Sequence, residues 1–140
     1  MDTNKLPIGY WIKQADQLLT AGIDKIQSSL GLTRTDWQIV NSLAGQPSID
    51  INKLSVLMEP FADPASISDT LSQLKDKELI AEKGNLLSLT ETGKKQHALC
   101  LERQIEFRQN TMAGISGEDY QTTLMTLQKI VDNVKRNIIR

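Results

Sequence analysis

The chain has 140 residues, of which 39% are hydrophobic and 24% are charged. This size and composition are typical of one globular domain and exclude a chain too polar to fold. Sixteen basic and seventeen acidic side chains give a formal net charge of −1. That balance excludes a polybasic protein that coats DNA, but it allows a DNA-binding site in which basic groups are concentrated locally.

Cysteine content and apolar runs indicate the cell compartment. The single cysteine, Cys100, excludes an internal disulfide and favours a reducing environment. No apolar run approaches the roughly 20 residues that span a bilayer, and the first residues lack the apolar region of a signal peptide. We therefore expect a cytoplasmic protein with no membrane partner.

The first third of the chain is predicted to be helical. Apolar residues at steps of three and four predict a long amphipathic helix over about residues 7–30, which Gly31 ends. Thr33 and Asp36 predict the start of a second helix, because Thr-x-x-Asp is a weaker relative of the capping box. Residues 45–47, Gly-Gln-Pro, end that helix.

Two short helices are predicted next. Ser48 or Asp50 caps a third helix that ends at Pro60, and the sequence leaves the choice between the two caps open. Asp63 and Pro64 are a strong start signal for a fourth helix, with Asp63 as the N-cap and Pro64 in the first helical position. The predicted inner face of the fourth helix consists of Ile67, Leu71 and Leu74.

The rest of the chain is predicted to form a hairpin and two long helices. Residues 79–83 and 86–90 are strand-like and separated by Gly84 and Asn85. Thr90 caps a fifth helix over about residues 91–114, and Ser116 begins the last one. The fifth helix is predicted to have Ala98, Leu101, Ile105 and Met112 on one side. The last helix carries a heptad seam of Tyr120, Leu124, Leu127, Val131, Val134 and Ile138.

Two short helices joined by a brief turn and followed by a hairpin have the order of a winged helix-turn-helix. Three segments make this interpretation more specific. They are Leu30-Gly31-Leu32-Thr33 with Trp37, then Leu79-Ile80, then Leu87-Ser88-Leu89-Thr90-Glu91-Thr92-Gly93. In these segments, and over essentially its whole length, the chain resembles the MarR family of bacterial transcription regulators.

The resemblance implies a mainly α fold in one domain over residues 1–140. A winged helix-turn-helix lobe with a short β-hairpin wing is expected at about 33–92, with dimerisation helices at about 7–30 and 93–140. It also implies a homodimer whose two lobes bind a pseudo-palindromic operator. The heptad seam of the last helix independently favours a partner surface, although such a seam can also pack within its own subunit.

The fourth helix is the predicted recognition helix. Its inner face leaves Ser66, Asp69, Thr70 and Gln73 on the opposite side, where they would enter the major groove. Glutamine pairs bidentately with adenine, and serine or threonine bonds to bases or phosphates. Lys83 and Asn85 at the wing tip complete the predicted DNA site. The alternative is that this helix presents only a solvated polar face.

The charge of the proposed lobe departs from the family pattern. Residues 45–92 contain four lysines and eight acidic residues, a net charge of −4, whereas a phosphate-binding surface is usually positive. Relatives commonly have basic residues where this chain has Asp69 and Gln73, and many have a longer wing with an arginine. The rival hypothesis is therefore a winged-helix dimer that has lost DNA affinity and acts as a protein-interaction module.

Other chemistry has little support in the sequence. His97 is the only histidine, which excludes a His-based metal triad or a Ser-His-Asp set within one chain. We expect no catalysis, no cofactor and no metal. Cys100 is interpreted as a small buried hydrophobe, with a redox role as the alternative. The resemblance implies a small aromatic effector, for which Tyr10, Trp11 and Trp37 are candidates, unless both tryptophans simply belong to the core.

Overall fold

The computed structural model describes residues 5–138, with only the backbone of Ile138. In chain order its elements are α1 (Ile8–Ser29), α2 (Arg34–Ala44), β1 (Ile49–Asp50), α3 (Ile51–Met58), α4 (Pro64–Asp76), β2 (Ile80–Lys83), β3 (Leu86–Leu89), α5 (Glu91–Thr111) and α6 (Gly117–Ile138). The chain divides into two compact units, one ending at Phe107 and one beginning at Arg108. The predicted mainly α fold with a small wing is confirmed.

The helices begin where local capping signals predict. Thr33 and Asp36 form a complete capping box: Thr33 Oγ1 accepts from the Asp36 amide at 3.0 Å, and Asp36 Oδ2 accepts from the Thr33 amide at 2.9 Å. Asp50, rather than Ser48, caps α3 by accepting from the Asn52 amide at 2.9 Å. These short-range bonds satisfy amides that have no partner within the helix.

The three strands form an antiparallel sheet in the order β1-β3-β2. The predicted hairpin is β2 and β3. Strand β1 was not predicted; in it Ile49 lies opposite Leu87, and Asp50 lies opposite Leu86. Two residues are too short to show the alternation that reveals a strand in sequence.

The hydrophobic core lies in the winged lobe, between α2, α3, α4, the sheet and one face of α5. Ile26 and Leu30, near the end of α1, pack against it and join that helix to the lobe. The buried apolar side chains are Leu32, Trp37, Ile39, Val40, Leu43, Ile49, Leu54, Met58, Ile67, Leu71, Leu74, Leu79, Ile80, Leu87 and Cys100. The predicted inner face of α4 is therefore confirmed.

Only part of the apolar side predicted for α5 faces the core. The side that faces the core carries Gly93, Cys100 and Gln104, all of them buried. Of the four apolar residues predicted on one side, Leu101 packs against the core and Met112 is half-buried, whereas Ala98 and Ile105 are exposed. The reason is a close backbone approach: a Cβ on Gly93 would lie 2.0 Å from the carbonyl oxygen of Leu79. This contact fixes the rotation of the helix, and a glycine and a glutamine give no apolar signal.

Thr90 holds the end of α4, the sheet and α5 together. Its Oγ1 accepts from the Gly93 amide at 3.0 Å and donates to the Glu78 carbonyl at 2.6 Å. Its amide donates to the Leu79 carbonyl at 3.1 Å. The Leu-Ser-Leu-Thr-Glu-Thr-Gly segment therefore has a structural reason: it needs a capping hydroxyl and, three residues later, a residue without a side chain.

Candidate nucleic-acid interface

The outward face of α4 is defined by the residues that the helix buries. Since Ile67, Leu71 and Leu74 point into the core, the 3.6-residue period turns the intervening residues outward. Ser66, Asp69 and Gln73 are exposed and Thr70 is half-buried. All four predicted recognition residues thus share one helix, and Thr70 lies deepest.

The start of α4 is already occupied by a negative charge. Asp63 accepts from the Ser66 amide at 2.8 Å, and this backbone hydrogen bond holds the pKa of the Asp63 carboxyl below its ordinary value. Amides at a helix N-terminus otherwise attract phosphate. Here the exposed carboxylate takes one of them, so the start of α4 is a poor site for DNA phosphate.

The wing is short and lies close to α3. Lys83 lies opposite Leu86, which leaves only Gly84 and Asn85 to form the turn. Gly84 has φ +63°, as a two-residue hairpin turn with glycine in the first central position requires. The carbonyl of Asn85 accepts from the Ile51 amide at 2.8 Å. The side chains of Lys83 and Asn85 are exposed, next to the N-terminus of α3.

Two of the four lysines between residues 45 and 92 are engaged by acidic groups of the same lobe. Lys75 pairs with Glu82 at 3.1 Å, and Lys77 lies 3.8 Å from the buried carboxylate of Asp36. Within residues 5–138, Lys53 and Lys83 form no ion pair. They are the lobe cations available to phosphate. Lys53 is not among the predicted site residues, although its position on α3, the first helix of the helix-turn-helix, was a signal for it.

The three predicted effector residues have different surroundings. Tyr10 and Trp11 are exposed on α1 and make an edge-to-face contact with ring centroids 5.0 Å apart. Trp37 is buried in the lobe and stacks on His97, with centroids 5.1 Å apart. Trp11 precedes Ile26, where α1 meets the core, by roughly 22 Å of helix. Trp37 is therefore a core residue, whereas Trp11 is not.

A cleft of about 450 Å³ lies between the end of α2, β3 and the start of α5. Its lining includes Leu43, Pro47, Leu89, Lys94 and His97, but none of the predicted effector residues. His97 Nε2 lies 2.9 Å from Asn41 Oδ1, and partial burial lowers the pKa of the imidazole. The uncharged ring is consequently favoured beside Trp37.

Cys100 is fully buried, as the structural interpretation predicted. Gln104 Nε2 donates to its Sγ at 3.2 Å, and burial raises the pKa of the thiol, which disfavours the reactive thiolate. No three His, Cys, Asp or Glu side chains within residues 5–138 are arranged to hold a metal ion. No helix in the same range is long and apolar enough to cross a membrane.

The predicted seam of α6 is largely exposed in the single chain. Tyr120, Val131 and Val134 are exposed, whereas Leu124 and Leu127 are half-buried. The side chain of Ile138 lies outside the described residues. Apolar side chains are also exposed over residues 8–19 of α1, namely Ile8, Tyr10, Trp11, Ile12, Leu18 and Leu19.

Comparisons with known proteins identify the fold. No protein-family model and no curated protein matches the chain. Among solved structures, a MarR family protein of Mycobacterium tuberculosis matches with a TM-score of 0.69 and 18% identity, over 91% of this chain and 96% of that one. MarR of Escherichia coli, in its reduced form, matches with a TM-score of 0.68 and 19% identity, over 89% and 93%.

A third match has nucleic acid bound. A mutant of MepR from Staphylococcus aureus, in complex with an oligodeoxyribonucleotide, matches with a TM-score of 0.69 and 16% identity, over 93% of this chain and 99% of that one. At this level of identity the matches show a shared fold. The chain therefore has the winged-helix fold of the MarR proteins.

Proposed function

We propose that this chain is a dimeric transcription regulator of the MarR type, which binds a pseudo-palindromic operator through α4 and the β2–β3 turn. The observation that carries the proposal is the polar face of α4, held outward by three buried residues of the same helix. Two structures with the same fold support it: the MepR mutant bound to an oligodeoxyribonucleotide, and the Mycobacterium tuberculosis MarR family protein in a complex with DNA.

Sequence recognition is assigned to the outward residues of α4. Recognition helices contact bases chiefly with their N-terminal residues, which favours Ser66 and Thr70. Gln73, one turn later, has the donor and acceptor needed to pair with adenine. Asp69 is the residue with two opposite possibilities: it repels phosphate, but it accepts from the amino group of cytosine.

Contacts with the DNA backbone are assigned to only a few cations. Lys53 and Lys83 are exposed and free of ion pairs within the described residues, and the acidic cap Asp63 opposes phosphate at the start of α4. Because the slope of log affinity against log salt is about 0.9 per neutralised phosphate, few contacts give a shallow slope. Specificity then depends more on base contacts than on charge.

The dimer is assigned to the exposed apolar rows of α1 and α6. Each row exposes several large apolar side chains, and large exposed apolar patches mark interaction sites. A second copy would bury both rows in a self-complementary, two-fold interface. Regulation is assigned to a small aromatic effector that contacts Tyr10 and Trp11 at this interface and thereby releases the repressor from its operator.

A selection experiment tests DNA binding directly. The wild-type protein is used to select duplexes from a random library, and the enriched duplex is then bound to Thr70→Ala and Asp69→Asn. Thr70→Ala should weaken the enriched duplex by about 1–3 kcal/mol and leave random DNA unchanged. Thr20→Ala, an exposed threonine on α1, is the matched control and should have no effect.

Asp69→Asn separates the two roles of the carboxylate. If Asp69 contacts cytosine, the variant loses affinity for the enriched duplex alone; if it opposes phosphate, the variant binds every duplex more tightly. Enrichment of no duplex, or an unchanged affinity in both variants, would overturn the proposal. The protein-interaction module would then be the better interpretation of the lobe.

A further inference from the structure

We propose that the end of α3 and the turn that follows it bind a basic, amphipathic segment of a partner protein. The apolar turn surface consists of Val56, Leu57 and Phe61, whose exposed fractions are 62%, 47% and 60%. Binding of a partner protein at this surface goes beyond the proposed function and requires no DNA.

The backbone brings Leu57 and Phe61 to one face, and Val56 is exposed one residue before Leu57. The Phe61 and Ala62 amides both donate to the Met58 carbonyl, at 2.9 and 3.1 Å, so the helical turn continues past the end of α3. Leu57 and Phe61 are four residues apart in that turn and therefore share a face. Leu54 and Met58 are buried, so the core holds the opposite side of α3 and the apolar turn surface points outward.

These three residues do not belong to the hydrophobic core of the lobe. The core is complete without them, and the apolar residues at neighbouring positions of α3 are buried. Three large apolar side chains within six residues expose more contiguous apolar area than scattered surface residues do. A partner would gain by covering them.

The charges around the surface determine the kind of partner. Glu59 lies within the turn, and Asp63 follows Phe61 by two residues; both are exposed. Lys53, one turn before Leu57, is the single lysine between residues 50 and 69. Apolar contacts rimmed by carboxylates complement a helix that carries apolar residues on one face and lysines or arginines at its edges. A phosphate backbone has the opposite character, because it is negative and offers no apolar contact.

A synthetic helix is the probe for this surface. A fluorescent peptide of about 18 residues, or five turns, carries leucine on one face and lysine elsewhere. A second peptide with glutamate in place of lysine keeps the apolar face and reverses the charge. Anisotropy titrations should show that the wild-type protein binds the lysine peptide at least about tenfold more tightly than the glutamate peptide.

Matched substitutions locate the binding. Leu57→Ser and Phe61→Ser should each weaken the lysine peptide by about tenfold or more, because both lie in the proposed contact. Leu99→Ser, an exposed leucine on α5, should leave binding unchanged. Circular dichroism confirms that each variant is folded, and Glu59→Gln should weaken binding and make it less dependent on salt.

Three results would overturn the proposal. Equal binding of the two peptides would remove the charge argument, and equal binding to Leu57→Ser and the wild type would move the site elsewhere. The third is a self-association of the wild-type protein beyond the dimer that Leu57→Ser abolishes, since a second copy would then be the occupant. None of these results depends on whether DNA binds α4.

Discussion

Similar apolar residues are buried in the winged lobe but exposed on the first two-thirds of α1. In the lobe, Ile39, Leu54 and Leu74 are fully buried by the chain's own helices and sheet. On α1, Leu18 is 66% exposed and Ile8 is 57% exposed, although both belong to an equally regular apolar pattern. Helical periodicity therefore indicates that a helix face is to be covered, but not whether the same chain or a second molecule covers it.

The largest contrast is expected from one substitution made in both regions. Leu54→Ala removes a fully buried side chain and should lower the free energy of unfolding by about 2–5 kcal/mol. Leu18→Ala removes an exposed side chain and should act instead on the dimer, by raising its dissociation constant. Urea unfolding and sedimentation equilibrium measure the two quantities. If Leu18→Ala destabilised the dilute, dissociated chain as much as Leu54→Ala, the distinction between the two regions would be wrong.

Substitution of one glycine in each region should have a smaller effect on stability, and of opposite sign in the two regions. A Cβ on Gly93 would lie 2.0 Å from the Leu79 carbonyl oxygen, so Gly93→Ala should destabilise the lobe by about 1–3 kcal/mol or more. Gly9, near the start of α1, has nothing within 4 Å of the same position. Gly9→Ala should therefore stabilise the helix, by up to about 1 kcal/mol, because alanine loses less backbone entropy. Thermal unfolding of both variants checks the signs, and a stabilising Gly93→Ala would show that α5 and the sheet are not in close contact.

The sequence predicted the parts of the fold that depend on short-range signals. The starts of α4, at Asp63 and Pro64, and of α2, at Thr33, are examples. Each cap forms its hydrogen bond with a residue three positions later in the sequence. The inner face of α5 could not be predicted in the same way. It follows from the contact between Gly93 and Leu79, which lie 14 residues apart in the sequence. Strand β1 is formed by pairing with a strand more than thirty residues later.

The residue types of the candidate site could be predicted from the sequence, but the ion pairs of its lysines could not. The outward face of α4 follows from its buried residues, which the apolar spacing identifies. The pairing of Lys75 with Glu82 and of Lys77 with Asp36 depends on tertiary placement, which composition does not contain. Those pairs leave Lys53 and Lys83 as the lysines of residues 45–92 that are free to meet phosphate; the sequence predicted Lys83 for the site, but not Lys53.

Sedimentation velocity of the wild-type protein at micromolar concentration tests most directly whether a second copy covers the exposed apolar rows. A dimer of about 31 kDa is expected, twice the 15.6 kDa of one chain. Replacing Leu127 and Val131 with lysine should dissociate it, because an unpaired charge buried in an apolar interface costs at least several kcal/mol. A folded monomer of the wild-type chain at that concentration would contradict the proposed dimer.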